Sequence, residues 1–302
     1  MMRGAQKILI VGFGDIGRRL AAMLPGRHRI VALVRSACDA ASARKLGVTV
    51  LRGDLAKPHT LHRLAGAADL VFHFAPPPAV GARDTHTRNL VMALTAKRAA
   101  MLPQRLVYIS TTGVYGDCRG AWVDEQSRLR PGTARARRRV DAERILHKWS
   151  RRHSVTLSIL RAPGIYAFDR LPLARLAAGL PALSAQDDVY TNHIHAEDLA
   201  RAAWAAARNG RGQRCYNVVD DSDLKMGQYL DLVARFANLP LPARQPREQA
   251  LAALPPVMRS FLRESRRIRN DRLKRELSVR LRYPTVASFL AEAGTTGDYS
   301  SR

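Results

Sequence analysis

The chain has 302 residues, enough to bury a large core, and its 46% hydrophobic and 25% charged residues are those of a globular protein rather than a disordered or fibrous one. Fifty basic against 25 acidic residues leave a formal charge of +25, which raises nucleic acid or another polyanion as a partner. The blander reading, arginines spread over many faces of an Ala- and Arg-rich chain, is the favoured one, although basic residues cluster around 128–152 and 263–282.

No apolar run is long enough to span a bilayer, so no membrane role is expected. Cys38, Cys118 and Cys215 show no C-x-x-C spacing, and the nine histidines show no metal-ligand spacing. Neither a disulfide framework nor a metal site is expected. The N-terminus runs into a strand-like segment with no visible signal peptide, and the cytoplasm is the expected compartment.

KILIV (7–11) reads as a buried strand. Gly12, Gly14 and Gly17 follow as G-x-G-x-x-G, with a helix from about Ile16, and the turn's Asp15 and Ile16 count with these glycines among the expected cofactor-binding residues. In a strand–turn–helix context these glycines allow the tight turn, the close approach of backbone to a diphosphate, and close packing of helix on strand. The free N–H groups and the positive dipole end of the helix favour an anion.

RIVALV (29–34) is the second strand. Arg35 stands at its end, where an acid would bind the ribose hydroxyls of NAD, with Ser36 beside it. A guanidinium pairs bidentately with a 2′-phosphate, so NADP is expected in preference to NAD. An arginine at a strand end is also a common surface feature. VTVL (48–51) is the third strand. Asp54 and Leu55 follow it, where Asp54 either faces the adenine or caps a helix starting near Pro58. DLVFHF (69–74) is the fourth strand, and Ala75, Pro76 and Pro77 make a rigid loop suited to a wall beside the dinucleotide, or simply a stiff turn.

Residues 82–101 and 134–152 have helical composition around the strand RLVYIS (105–110), and VTLSIL (155–160) is a further strand. Continuous apolar strands separated by helices predict an α/β fold, a Rossmann-type doubly wound parallel sheet. Beyond Pro163 the chain becomes loop-rich; HAEDLARAAWAAA (195–207) reads as a helix and CYNVVD (215–220) as a strand. The expected division is a cofactor-binding domain over 1–165, with 191–222 returning to it, and a smaller, mostly helical substrate domain over 166–190 and 223–302. Leu230, Val233, Phe236, Ile268, Leu273 and Leu277 are its expected apolar positions.

With VYISTTGVYGD (107–117) a pattern emerges. Together with the Gly-rich turn, GDL, RAPGIYAF (161–168), HIHAEDLA (193–200) and the late NDRLKRELSVRLRYPT (270–285), it resembles the extended short-chain dehydrogenase/reductase superfamily of nucleotide-sugar epimerases and dehydratases. LIVGFGDIG and FAPPP narrow the resemblance to an atypical bacterial subgroup of NAD(P)-dependent epimerase/dehydratase-like proteins, the YeeZ type. The family works with a Ser/Thr, and with a Tyr and a Lys in a Y-x-x-x-K helix whose two side chains share one face. The resemblance implies that Thr111, next to Ser110, carries the first role, and it adds Ser110 and Pro163 to the cofactor-binding residues. It puts Arg135 at the Tyr position and Arg139 at the Lys position.

Arg139 keeps the charge needed to hold a ribose, so it counts as both cofactor-binding and catalytic. Arg135 cannot exchange a proton near neutral pH. Tyr166, just past a strand end, is the first substitute acid. Tyr115 reads as structural, and His195 and Asp198 as a helix start that braces the two domains. The five arginines of 133–146 therefore read as a solvated face, a nucleic-acid grip, or the wall of an active site without its usual acid. With no helix-turn-helix or zinc-finger pattern, nucleic acid is ranked last.

The expected function is that of an NADP-binding oxidoreductase or epimerase-like enzyme acting on an unknown small molecule; the alternative is a non-catalytic NAD(P)-sensing regulator. The resemblance also implies a homodimer paired through the helices at 82–101 and 134–152, with Asp84, Asp141 and Glu143 offsetting the arginines.

Overall fold

The computed structural model describes residues 5–24, 26–96 and 101–295, apart from the side chain of Val257. Its centre is a parallel sheet of seven strands: β1 (Lys7–Val11), β2 (Arg29–Val34), β3 (Thr49–Arg52), β4 (Leu70–His73), β5 (Arg105–Thr111), β6 (Thr156–Ala162) and β7 (Arg214–Asn217). Their spatial order is β3-β2-β1-β4-β5-β6-β7. The order reverses between β1 and β4, the switch point at which a ligand crevice opens outside the strand ends.

Strand alternation divides the core. Ile8 and Ile10 face helices α1 (Asp15–Met23), α2 (Ala37–Lys45) and α5 (Ala196–Asn209), while Leu9 and Val11 face α3 (Thr85–Leu94) and α4 (Ala134–Arg152). Both faces are covered, which is why the strands read as unbroken apolar runs. The alanines of α5 (Ala200, Ala203, Ala206 and Ala207) bring it close against Leu20 and Ala21 of α1.

The helix expected over 82–101 occupies Thr85–Leu94, started by Asp84, whose carboxylate accepts the Thr87 N–H; residues 97–100 lie outside the described residues. The helix expected near Pro58 is a 3₁₀ segment, Pro58–Leu64, with no side-chain cap. Asp54 instead closes a local turn by accepting the Ala56 N–H at 2.9 Å.

A second core gathers Tyr166, Leu176, Tyr229, Leu230, Val233, Val286 and Phe289 around helices α6 (Met226–Phe236) and α8 (Val286–Thr295). Not all of 223–302 belongs to it. Helix α7 (Asp271–Leu277) lies between the two in sequence, yet Leu273, Leu277 and the following Val279 pack into the main core beside α5. Asp198, at the start of α5, accepts the N–H groups of Arg282 and Tyr283 at 2.8 and 2.9 Å, and His195 accepts the Glu197 N–H, so this helix start braces the late segment.

Candidate cofactor crevice and active site

Two loops meet at the switch point, and glycine lets them touch. Gly12 has φ +93°, and a Cβ there would stand 2.4 Å from Ala75 N. A Cβ on Gly17 would stand 2.8 Å from the Gly12 carbonyl, so α1 sits directly on the turn. Gly14 differs. Its φ of −80° suits any residue, and no heavy atom from outside its own turn lies within 4 Å of the position its Cβ would take. The space beside it opens into a crevice of about 290 Å³ that Arg35, Asp54, Leu55, Ala75 and Pro76 also line. Ile16, expected among the cofactor-binding residues, is 8% exposed, packs into the main core and does not line the crevice.

Some expected contacts go elsewhere. The Ser36 hydroxyl starts α2: it accepts the Asp39 N–H and donates to the Asp39 carboxylate at 2.7 Å. Ser36 does not line the crevice, but the bond leaves Asp39 on the crevice wall with Arg35. Pro77 does not line it either; His86 does, with its Nδ1 3.0 Å from the Pro76 carbonyl. The Asp15 carboxylate bonds Arg19 at 2.8 Å and Arg170 at 2.9 Å, tying α1 to the turn at 168–170.

Beyond the end of β5 lies a chamber of about 650 Å³, with Thr111, Arg135, Pro163, Arg170, Tyr190 and Glu264 in its wall. Pro163 therefore belongs to this chamber and not to the crevice. Thr111 Oγ1 accepts the Gly113 N–H at 3.2 Å, which leaves its own proton to donate. Helix α4 begins against this turn: Thr133 accepts the Ala136 N–H at 3.1 Å, and the Ala136 methyl lies 3.8 Å from where a Gly113 Cβ would be. Arg135, in that first turn, lines the chamber without a carboxylate partner among the described residues.

Arg139, one turn on, points inward. It is 7% exposed, and its Nη1 donates to the Tyr108 hydroxyl at 2.9 Å and the Ile109 carbonyl at 2.7 Å. It lines neither cavity, so its expected catalytic and ribose-binding roles give way to bracing the end of β5. Burial, reinforced by this charge, holds the His73 pKa down to about 3.

Ser110 is buried and lines neither cavity. Its hydroxyl donates to Glu143 at 2.6 Å. Glu143 in turn holds Arg161 through two contacts, at 2.8 and 3.2 Å. Arg161 donates to the Tyr115 hydroxyl, and Tyr115 donates to Asn217. Burial opposes the Arg161 charge, and Glu143 more than restores it. This network joins β5, α4, β6 and β7, and so fixes the helix that carries Arg135. Tyr115 is structural, as expected.

Tyr166 fails as the substitute acid because of strand alternation. Gly164–Tyr166 is a short strand paired with His193–His195. Ile165 lines the chamber, and the next side chain faces away. Tyr166 is 1% exposed, packed on His195 and Phe289, and burial beside Asp220 raises its pKa far above the ordinary phenol range. The phenol in the chamber is Tyr190, whose ring carries the Arg267 guanidinium at 4.7 Å and Lys225 Nζ at 5.9 Å.

The Gly-rich turn stands at the switch point, the crevice has Arg35 in its wall, and the threonine-walled chamber lies beyond β5. Residues 8–219 match the model of the NAD dependent epimerase/dehydratase family. The chain belongs to that family.

The chain is also similar to individual proteins over most of its length. The Protein YeeZ of Escherichia coli K12 is 27% identical over 243 residues, covering 78% of this chain and 86% of its own. A functionally unknown conserved protein from Silicibacter pomeroyi superposes with a TM-score of 0.81 at 28% identity, over 97% of this chain and all of its own. The UDP-glucuronic acid 4-epimerase from Bacillus cereus, solved in complex with NAD, shares the fold with a TM-score of 0.72 at 17% identity, over 97% of each chain.

A nicotinamide dinucleotide, the cofactor of the epimerase/dehydratase family, fits the residues present. The open space at Gly14 is a cradle that a Cβ would begin to fill, and it lies at the start of a nine-residue helix. No described helix is long and apolar enough to cross a membrane, and no described group of three or more His, Cys, Asp or Glu side chains could hold a metal ion.

Sequence reasoning missed Asp39, His86 and Tyr190. Asp39 lies five residues past a strand end in a helix cap, a pattern that usually signals only a cap. His86 and Tyr190 carry no local signal, because loops far apart in sequence bring them to the cavities.

Proposed function

We propose that the protein binds NADP in preference to NAD and acts as an oxidoreductase or epimerase on a small molecule held in the chamber. The observation that carries this reading is the open cradle at Gly14, with Arg35 in the wall of the same crevice. A bound nicotinamide supplies hydride transfer. The chain supplies the rest. Arg35 takes the 2′-phosphate, and the Thr111 hydroxyl donates to a substrate oxygen. Arg135 cannot move a proton, and Tyr166 is buried away from the chamber. Of the chamber groups able to exchange one, Glu264 is tied to Arg266 at 2.7 Å, which leaves Tyr190 as the proton carrier.

Fluorescence titration with NADPH and NADH tests the cofactor assignment. NADPH binding more tightly than NADH supports it; tighter NADH would make the Asp39 carboxylate, not Arg35, the determinant. Binding of neither at micromolar concentration overturns the reading. A non-catalytic NAD(P)-sensing role is the second reading, favoured by a guanidinium at the position where the family's tyrosine stands. Redox turnover that is lost in Thr111→Val contradicts it.

A further inference from the structure

We propose that Arg135 seats a carboxylate of the substrate, replacing a proton-transfer residue with an anion-binding one. The proposal rests on the chamber being the substrate site. Three guanidiniums reach its wall. Arg170 faces Asp15 at 2.9 Å, and Arg266 faces Glu264 at 2.7 Å. Arg135 alone among them has no carboxylate partner among the described residues, so the wall itself offers one uncompensated positive charge, while Arg267 and Lys225 approach the chamber only through the ring of Tyr190.

That count bears on the ligand. One guanidinium presents a planar fork of N–H donors that matches the two oxygens of a carboxylate. A diphosphate carries more charge than one free guanidinium balances. Much of the remaining wall is neutral, with Thr112, Ile165, Met226 and Phe261 among its side chains. Arg259 and Arg263 line an adjoining recess, not the chamber that contains Thr111.

The surroundings leave Arg135 in want of an anion. Arg135 is solvent-exposed, and its partial burial, then the like charges of Arg139 and Arg138, lower its pKa. An oxyanion relieves that repulsion. Because the first turn of α4 packs on the Thr111–Gly113 turn, a carboxylate at Arg135 has the Thr111 hydroxyl on the same wall. A substrate with a carbonyl or hydroxyl on the carbon next to its carboxylate spans both groups.

Site-resolved arginine modification tests this without needing turnover. Phenylglyoxal is reacted with the full chain, and the rate at Arg135 is read by peptide mass spectrometry. Pyruvate is the probe, being a small carboxylate with a neighbouring carbonyl. Pyruvamide, its neutral counterpart, inorganic phosphate and UDP are the other arms. At ten times its dissociation constant, pyruvate is expected to slow modification of Arg135 about elevenfold, as site occupancy requires. Pyruvamide is expected to leave the rate unchanged. Protection by phosphate or UDP but not by pyruvate overturns the proposal, as does protection by none of them.

Arg135→Gln and Arg135→Lys separate this idea from the cofactor reading. Both variants are expected to keep the NADPH affinity of the native chain. Isothermal titration is expected to show pyruvate binding lost in the glutamine variant and weakened in the lysine variant. Pyruvate binding that survives Arg135→Gln contradicts the proposal even where NADPH binds; failure of NADPH to bind the native chain contradicts only the cofactor reading.

Discussion

Gly14→Ala and Gly12→Ala, two single-methyl changes in one turn, should have opposite consequences. At Gly14 the backbone is extended, with φ −80°, and no heavy atom from outside its own turn lies within 4 Å of the new methyl. The folded chain accepts alanine without strain and the unfolded chain loses freedom, which offsets the poorer N-cap that alanine makes here, so stability is expected to stay within about 1 kcal/mol of the native value. The methyl nevertheless stands where a diphosphate must approach the amides. Loss of a hydrogen bond to a charged group costs about 1.5–3 kcal/mol, which weakens coenzyme binding roughly 10- to 150-fold.

At Gly12 the methyl would lie 2.4 Å from N and 2.7 Å from Cα of Ala75, with φ at +93°. The obstacle is backbone at the end of a sheet strand and cannot swing aside. Backbone strain and overpacking together cost roughly 2–6 kcal/mol. Urea unfolding followed by circular dichroism, paired with NADPH titration, reads both effects. A Gly14→Ala variant that binds coenzyme as tightly as the native chain would refute the reasoning, and so would a Gly12→Ala variant of native stability.

Arg35→Ala should weaken NADPH binding about tenfold or more while changing NADH binding little, since it removes a charge-assisted contact only NADP makes; parallel titrations check it. Glu143→Gln leaves the Arg161 charge buried without its partner and should cost about 3–5 kcal/mol, seen as a lower urea midpoint at unchanged slope. Asp220 has its pKa raised by burial from 3.8 to about 7, so its contribution to stability is full below about pH 3.8 and is lost as pH rises through 7. Unfolding of native and Asp220→Asn chains across that window should show the variant gaining relative stability as pH rises. Tyr190→Phe should lower turnover by about 10²–10⁴ with NADPH affinity unchanged, once a substrate is in hand.

Much of the fold is legible in the sequence because a strand buried on both faces must be apolar throughout. KILIV and RIVALV give β1 and β2 to the residue, and the arginine-rich stretch does lie in a helix, Ala134–Arg152. The glycine turn is equally local: spacing alone implies the tight turn that Gly12 makes. What the sequence conceals is the direction in which a side chain points once elements pack. Helical spacing puts Arg135 and Arg139 on one face, yet the first opens to the chamber and the second turns in to bond β5. Tyr166 sits beside a strand end, as a catalytic residue often does, but alternation carries it into the second core. The clustered arginines of α4 do not form one solvated face: Arg138 is buried against the Gly81 carbonyl, Arg139 against β5, and Arg135 lines the chamber. Cofactor preference is hidden for the same reason, since Asp39 reaches the crevice wall only through a helix cap.

The central claim is that this family member holds a dinucleotide at the β1–α1 turn and presents it to the Thr111 chamber. A crystal structure grown with NADPH in excess tests it most directly. The diphosphate is expected on the amides beside Gly14, with the 2′-phosphate at Arg35 and the nicotinamide toward Thr111. Coenzyme bound elsewhere on the chain, or a crevice closed by its own side chains under saturating NADPH, would contradict the account.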